Sequence, residues 1–541
     1  MPRNRVHEAQ QSGWSSLAAR HLLARTGFGF DLEQEEKLAV LSREQAVDQL
    51  LEDAQNAPCP TPPEWVKTPW VNTERRYADT SADEFRGKHG ATNGRYAREI
   101  ADLRRWWVNE MMTSPVPLRE MMTLFWHGHF ASSIGKVLIS QAMYEQNATQ
   151  RKHALGNFRQ LLKAMTIDGA MMIYLDLEDS EKTQPNENYA RELFELFALG
   201  HGHYTQADIR EAARALSGWQ LNAPPGTALP QRPTNPADNR RFTRDGIVAE
   251  LVVERHDAGT KTIFGKTGTF GLDEVIELTV NHPACGLFLA EKLASYFGLS
   301  DETGRVQQQM AEVFRSTGGE IAPMLRVLFT ADEFYTDGSR NRLIKSPVVL
   351  WVSTCRQLQL DTTFTRGVNK YLAALGQELF EPPNVKGWPG GETWISAGTL
   401  ALRYHLTDIV LESKEPPGMD PMGRDRGRPV ILPKDPAERA KFLARLEGGM
   451  SDGEGMMAPR RGEREAGPAY DVKFSPDKLF PAGIPDSSAD LADQLLNRLL
   501  VDSPRAELRA TAMEAATRNV GPLRVQAVLR LILSSPDYQL T

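Results

Sequence analysis

The sequence predicts a mainly α protein, a multi-helix assembly with one small β-hairpin near residues 249–265. Three observations carry that reading. Apolar residues recur at the spacing of a helix face over most of the chain. Ser, Thr and Gly stand at the ends of those stretches, where caps belong. Strand-like character is confined to residues 249–254 and 260–264, which flank the short turn His256-Asp257-Ala258-Gly259.

In chain order, residues 15–25 make the first helix, with Leu17, His21, Leu22 and Leu23 near one face and Gly27 and Gly29 ending it. Ser42 and Gln45 read as a capping box for a helix carrying Val47, Leu50 and Leu51. A proline-rich connector covers 57–69, and helices follow at 96–113, 117–127, 139–154, 157–166, 187–199 and 206–217. Thr205 caps the last of these, with Asp208 at its third position and Gly218 closing it. The segment 221–246, rich in Pro, Asn and Arg, reads as a long excursion before the hairpin. Helices resume at 272–281, 284–298, 304–316, 322–331, 342–360 and 397–413. Residues 414–432 read as loop, and 448–485, which lack any period, as a mobile insertion. Three helices at 487–501, 505–518 and 522–534 end the pattern. The stretch from Met324 to Phe334 echoes that from Val528 to Tyr538, each an apolar helix, a polar turn and an aromatic. A repeat and two unrelated helices with similar ends both explain it.

At 541 residues the chain exceeds one simple core. It divides into an N-terminal helical part (1–220), a long loop and hairpin (221–265), a second helical part (266–413), a loop and low-complexity insertion (414–485) and C-terminal helices (486–541). Hydrophobic residues at 41% and charged ones at 25% are ordinary for a globular protein. Lys and Arg total 63 against 70 Asp and Glu, and that net charge of −7 argues against nucleic acid as a partner. Cys59, Cys285 and Cys355 form no CxxC pair, which fits a reducing compartment and neither a zinc ribbon nor a disulfide framework. The first fourteen residues carry charge without the apolar stretch of a secretory signal, and no window is apolar enough for a membrane span. The default expectation is a soluble cytoplasmic protein, with export in the company of a signal-bearing partner left open. No GxxxxGK[ST], GxSxG, HExxH or strand-embedded GxGxxG is present, so the common nucleotide, hydrolase-elbow and zincin readings lack support.

Several motifs carry groups that do chemistry. In Trp126-His127-Gly128-His129-Phe130, two imidazoles flank a glycine that is suited to a helix end. His127 and His129 are a fragment of a transition-metal site, zinc or iron, or else donors to main-chain carbonyls at a helix C-terminus. On the wheel of the 187–199 helix, Glu187, Asn188, Arg191, Glu192 and Glu195 share one side. Solvated ion pairs account for that face, and so does a site in which Glu192 joins the histidines as a ligand while Glu187, Asn188 and Arg191 handle protons and substrate. His203 reads as a supporting residue and His201 as surface. In the hairpin turn, His256 is a further metal-ligand candidate and Asp257 either orients it or bonds its own backbone. Lys261 and Lys345-Ser346 offer positive charge to an anionic substrate, although Ser346 before Pro347 is placed to cap a helix. Lys386, Trp388 and Trp394 belong to an aromatic-lined loop, which serves as a substrate or sugar platform or as a packed lid.

Taken together, the stretches Arg20–Gly29, Trp126–Phe130, Asn186–Leu193, Ala213–Trp219, His256-Asp257 with Lys261 and Gly265, Ile344–Val348 and Phe380–Gly391 resemble, in order, the bacterial family called domain of unknown function 1800. The resemblance covers residues 16–413 and extends to the C-terminal helices. It implies no reaction. It does imply a partner, because genes of that family accompany an exported protein family of phosphatase-like fold. The functional expectation is therefore a metal-assisted hydrolase or oxidoreductase built on His127, His129, Glu192 and His256. The alternatives are a non-enzymatic scaffold or export companion of that partner, with the polar motifs as buried packing networks, and a carbohydrate-binding module on Trp388 and Trp394.

Overall fold

A computed structural model describes residues 14–67, 82–222, 248–340, 342–414 and 470–541, with side chains from residue 96 onward in the helix Ala82–Thr113. Nearly all of the expected excursion at 221–246, the expected loop at 414–432, and 448–469 of the expected insertion lie outside those residues. The described architecture is mainly α, with three two-stranded antiparallel pairs. No described helix is long and apolar enough to cross a membrane. Buried apolar side chains from Trp14 to Tyr538 form one continuous cluster, which draws on the N-terminal, middle and C-terminal helices alike.

The helix Pro117–His129 lies at the centre, and every residue from Leu118 to His127 is buried. Proline at its first position has the backbone angle a helix start needs and lacks an N–H that would go unpaired there. Burial on all sides forces its polar groups to find partners. Glu120 accepts from Arg151 Nε at 2.7 Å and from Trp107 Nε1 at 3.0 Å, and Arg119 donates to the carbonyls of Ala57 and Pro58. Caps behave as the residue types require: Ser42 with Gln45 and Thr205 with Asp208 close reciprocal capping boxes.

The expected helix at 187–199 changes pitch part-way. Glu187–Glu192 is α-helical, whereas Leu193–Ala198 is π-helical and ends with the N–H groups of Leu199 and Gly200 both on Phe194 O. The helix expected from 342 starts only at Pro347, because Leu343 and Lys345 pair with the main chain of Thr541 and Gln539. Helices Leu32–Ala39, Gly169–Tyr174 and Arg366–Ala374 had no counterpart in the sequence reading, though each has a capping Asp or Thr before it. Residues 470–485, part of the expected mobile insertion, supply the strand Asp471–Lys473 and the short helix Pro476–Leu479.

Val248–Leu251 and Lys261–Ile263 fall where β character was expected but do not pair with each other. The strands Trp219–Asn222, Lys266–Gly268, Asp361–Thr363 and Asp471–Lys473 were not expected. Val248–Leu251 pairs with Trp219–Asn222, and Lys261–Ile263 pairs with Lys266–Gly268. The turn at His256 does not fold one strand onto the other, since the helix Gln206–Ala215 and Ser217 hold it from the side. The hairpin turn is instead Phe264-Gly265, at φ 51° and 74°, the left-handed pair that a two-residue loop favours. The internal echo lies in two like units. Pro283–Tyr296, Arg305–Ser316 and Ile321–Thr330 pack in succession and end near buried Phe334, as Ser488–Leu499, Ala506–Arg518 and Pro522–Leu533 do near buried Tyr538.

Candidate functional site

His127 and His129 close the central helix and look in different directions, as positions two apart on a helix must. His127 Nε2 accepts the N–H of Phe380 at 3.0 Å, so its proton sits on Nδ1. Its ring lies against Trp107, Phe380 and Trp388. Burial, and then the charge of Arg104, push its pKa down to about 3. His129 Nε2 donates to Phe197 O at 2.9 Å, while its Nδ1 accepts from Lys292 Nζ at 3.1 Å. Burial first and Lys292 second hold it well below the usual histidine range. Both rings are neutral at pH 7.

The π-turn explains what His129 and Lys292 are doing together. The last carbonyls of a helix have no partner within it and carry its partial negative charge. Phe197 O is taken by His129, and Leu196 O accepts from Lys292 Nζ at 3.1 Å. On the other side, the 379–391 loop lies directly on the WHGHF turn. Gly387, at φ 74°, approaches so closely that a Cβ there would sit 2.1 Å from Gly128 O. Arg104 Nε donates to Leu379 O at 2.9 Å and Ile134 N–H to Phe380 O at 2.9 Å, which fixes the loop's start.

Beneath this loop is a cavity of about 590 Å³. Phe125, Leu124, Phe288, Tyr296, Trp388 and Trp394 give it apolar walls, and His129, Lys292, Lys345 and Lys386 bring nitrogen to it. Burial lowers the Lys292 pKa to about 8. Burial, and then the charge of Arg403, lower that of Lys345 to about 7. Among the described residues neither ammonium has a carboxylate partner. Lys345 Nζ lies 3.8 Å from the centroid of the Tyr538 ring. Ser346 caps Val349 N–H at 3.3 Å, the structural role its place before Pro347 suggested. A second cavity, of about 500 Å³, lies near Asp31 and Arg356, but Arg356 already donates to the carbonyls of Met111, Met112 and Ser114.

The family described as protein of unknown function DUF1800 matches residues 21–540 of the 541-residue chain. The chain belongs to the DUF1800 family. No curated protein and no solved structure matches it. The DUF1800 match takes in both helical parts, the C-terminal helices and nearly the whole cavity lining.

Within this DUF1800 fold, the residues expected to form a metal site are not gathered into one. Among the described residues no three His, Cys, Asp or Glu side chains are placed to hold an ion. Both ring nitrogens of His129 are engaged, His127 Nε2 faces an N–H donor, and His256 Nδ1 is bonded to Ser217 O at 2.9 Å. Glu192 stands outside the cavity, half-buried among Glu195, Lys386, Arg191 and His201, and burial raises its pKa. The donor set His127, His129, Glu192 and His256 therefore does not fit a shared zinc or iron.

The residues expected to act in proton transfer and substrate binding mostly have partners within the fold. Glu187 accepts from Arg191 at 3.2 Å and from Gln206 at 2.6 Å, on the solvated face of its helix. Asn188 Nδ2 donates to Leu175 O at 3.2 Å. Asp257 is clamped by Arg214 Nε at 2.7 Å, which holds its carboxyl below the ordinary range, and it also accepts from Gly259 N–H. Lys261 is buried, and its ammonium donates to Asp257 O and to Gly259 O, closing the same turn. Gly218 lets this turn sit close, since a Cβ there would come within 2.8 Å of His256 N. His201 is exposed and pairs with Glu195 at 3.1 Å. Trp394 is buried and Trp388 half-buried, so they wall the cavity instead of forming an open sugar platform. Sequence reasoning missed Lys292, because one lysine in the apolar helix Pro283–Tyr296 looks like an ordinary surface position.

Proposed function

We propose that this DUF1800 protein binds a small organic anion with an apolar body in the cavity beneath the 386–391 loop. One observation carries the reading: buried Lys345 and partly buried Lys292 border one apolar cavity and neither has a carboxylate partner among the described residues. A buried charge without a counter-charge is costly, and folded proteins pair such groups or lower their pKa. An anionic ligand is the missing partner. Lys292 has given two of its three N–H bonds to His129 and Leu196, so its third is free for a ligand oxygen. Exposed Lys386 adds a positive charge to the lining and exposed Glu291 a negative one, while no carboxylate pairs with either inner lysine among the described residues. The cavity's size suits a small molecule, and its aromatic walls suit an apolar body. The polar motifs support this site from behind: His127 holds the loop start and His129 holds the π-turn and Lys292.

Calorimetry with a panel of aliphatic and aromatic carboxylates against their uncharged amides tests the reading. Acids such as 3-phenylpropionate are expected to bind with net proton uptake at pH 8, because a bound anion restores the lysine protons. Lys292→Met is expected to weaken that binding at least about tenfold, the loss of one charge-assisted bond. Equal binding of acid and amide, or an unchanged affinity in the variant, would refute it.

A further inference from the structure

We propose that Lys345 is the reactive amine of this cavity and forms an imine with the ketone or aldehyde carbonyl of an anionic ligand. This rests on the anion-binding reading, with Lys292 holding the acid group. A lysine is a nucleophile only when its amine is neutral and unencumbered. Lys345 is 5% exposed, borders the cavity, and among the described residues its Nζ has no hydrogen-bond acceptor, only the face of Tyr538. Arg403, fully buried, donates to Lys345's own carbonyl at 2.8 Å and to Gln539 Oε1 at 3.1 Å, which fixes a second positive charge nearby. Desolvation together with a neighbouring cation is the pairing that favours a free amine. The resulting pKa of about 7 leaves a large neutral fraction at neutral pH.

Lys261 is equally buried, yet its ammonium is engaged by two main-chain carbonyls. Lys292 is held by His129 and Leu196 and serves as a charge. Lys345 alone of the three keeps its nitrogen unbonded, on a rigid base. Its N–H pairs with Gln539 O at 2.9 Å, and the next residue caps the helix Pro347–Gln357. The step is balanced. The amine lone pair adds to the carbonyl carbon, the carbonyl π electrons move to oxygen, and the carbinolamine loses that oxygen as water when C=N forms. Amine plus carbonyl gives imine plus water, with no oxidant or reductant.

The test treats the full chain with phenylpyruvate and sodium cyanoborohydride at pH 7, followed by peptide mass spectrometry. One reduced adduct on the Lys345 peptide is expected, and none at that position in Lys345→Met or Lys345→Arg. Arg at this site keeps the charge without the amine, so the readout stands even where the Met variant folds poorly. Adducts spread over surface lysines with the Lys345 peptide unmodified would overturn the proposal. If 3-phenylpropionate binds while Lys345 stays unmodified, the imine falls and anion binding stands. If neither acid binds, both fall.

Discussion

Raising the pH from 7 to 9 should stabilise the unliganded protein. An exposed lysine titrates near 10.5, whereas folded Lys292 titrates at about 8 and Lys345 at about 7. Below pH 7 both states of the chain keep these protons, and the folded state bears the cost of two desolvated ammonium groups, one buried and one partly buried, with no counter-charge. Above each folded pKa, the native protein sheds a proton that the unfolded chain retains. The unfolded state then binds more protons, so stability climbs with pH until the unfolded lysines titrate. Integrating the linkage from pH 7 to 9 gives a little over about 2 kcal/mol from Lys345 and a little over about 1 kcal/mol from Lys292, between roughly 3 and 4 kcal/mol together. Other buried groups act mainly outside this window. Asp168, pushed up to about 7 by burial, loses its contribution below it, and Arg25, lowered to about 9, adds in the same sense only at its top. Buried Cys285 and Cys355 are raised by burial and act in the opposite sense above it. Urea unfolding at pH 7, 8 and 9 reads the effect directly. Lys345→Met should remove about two thirds of the rise, and the double variant with Lys292→Met should be flat. A wild-type midpoint that stays level or falls would refute two desolvated lysines without a counter-charge, and with them the cavity's charge.

Three further outcomes follow from particular contacts. Gly387→Ala should cost at least about 1–2 kcal/mol from its left-handed backbone alone, and more from the clash with Gly128 O, read as a lower urea midpoint. His127→Ala should cost about 1–3 kcal/mol because the buried Phe380 N–H loses its acceptor, while a chelator should leave the wild-type midpoint unchanged. Glu120→Ala should be the most damaging of the three, about 3–5 kcal/mol, since it strands Arg151 in the core and deprives Trp107 Nε1 of its acceptor.

Much of the helical order was legible because period and caps are local. Ser42 with Gln45, Thr205 with Asp208, and Ser346 before Pro347 each act within one turn of chain, and each does what its residue type requires. Strand partners were not legible. Val248–Leu251 found Trp219–Asn222 across a long connection, and nothing local names such a partner. The Phe264-Gly265 turn was the overlooked signal, a glycine after the strand where a left-handed pair was needed. The pitch change at Leu193 was invisible too, because it follows from where Phe197 and Leu196 find donors on other helices.

The sequence by itself determined family, helical class and most helix ends, because these depend on residue order and on contacts within a turn or two. It also marked Lys345, Lys386, Trp388 and Trp394, all of which border the cavity. Only the tertiary structure decided which polar groups were already bonded. A histidine reads the same in sequence whether its nitrogen meets a metal, a carbonyl or an amide N–H. Here the main chain took His127, His129 and His256, while Lys345, five hundredths exposed and without an acceptor, was left with an unbonded amine.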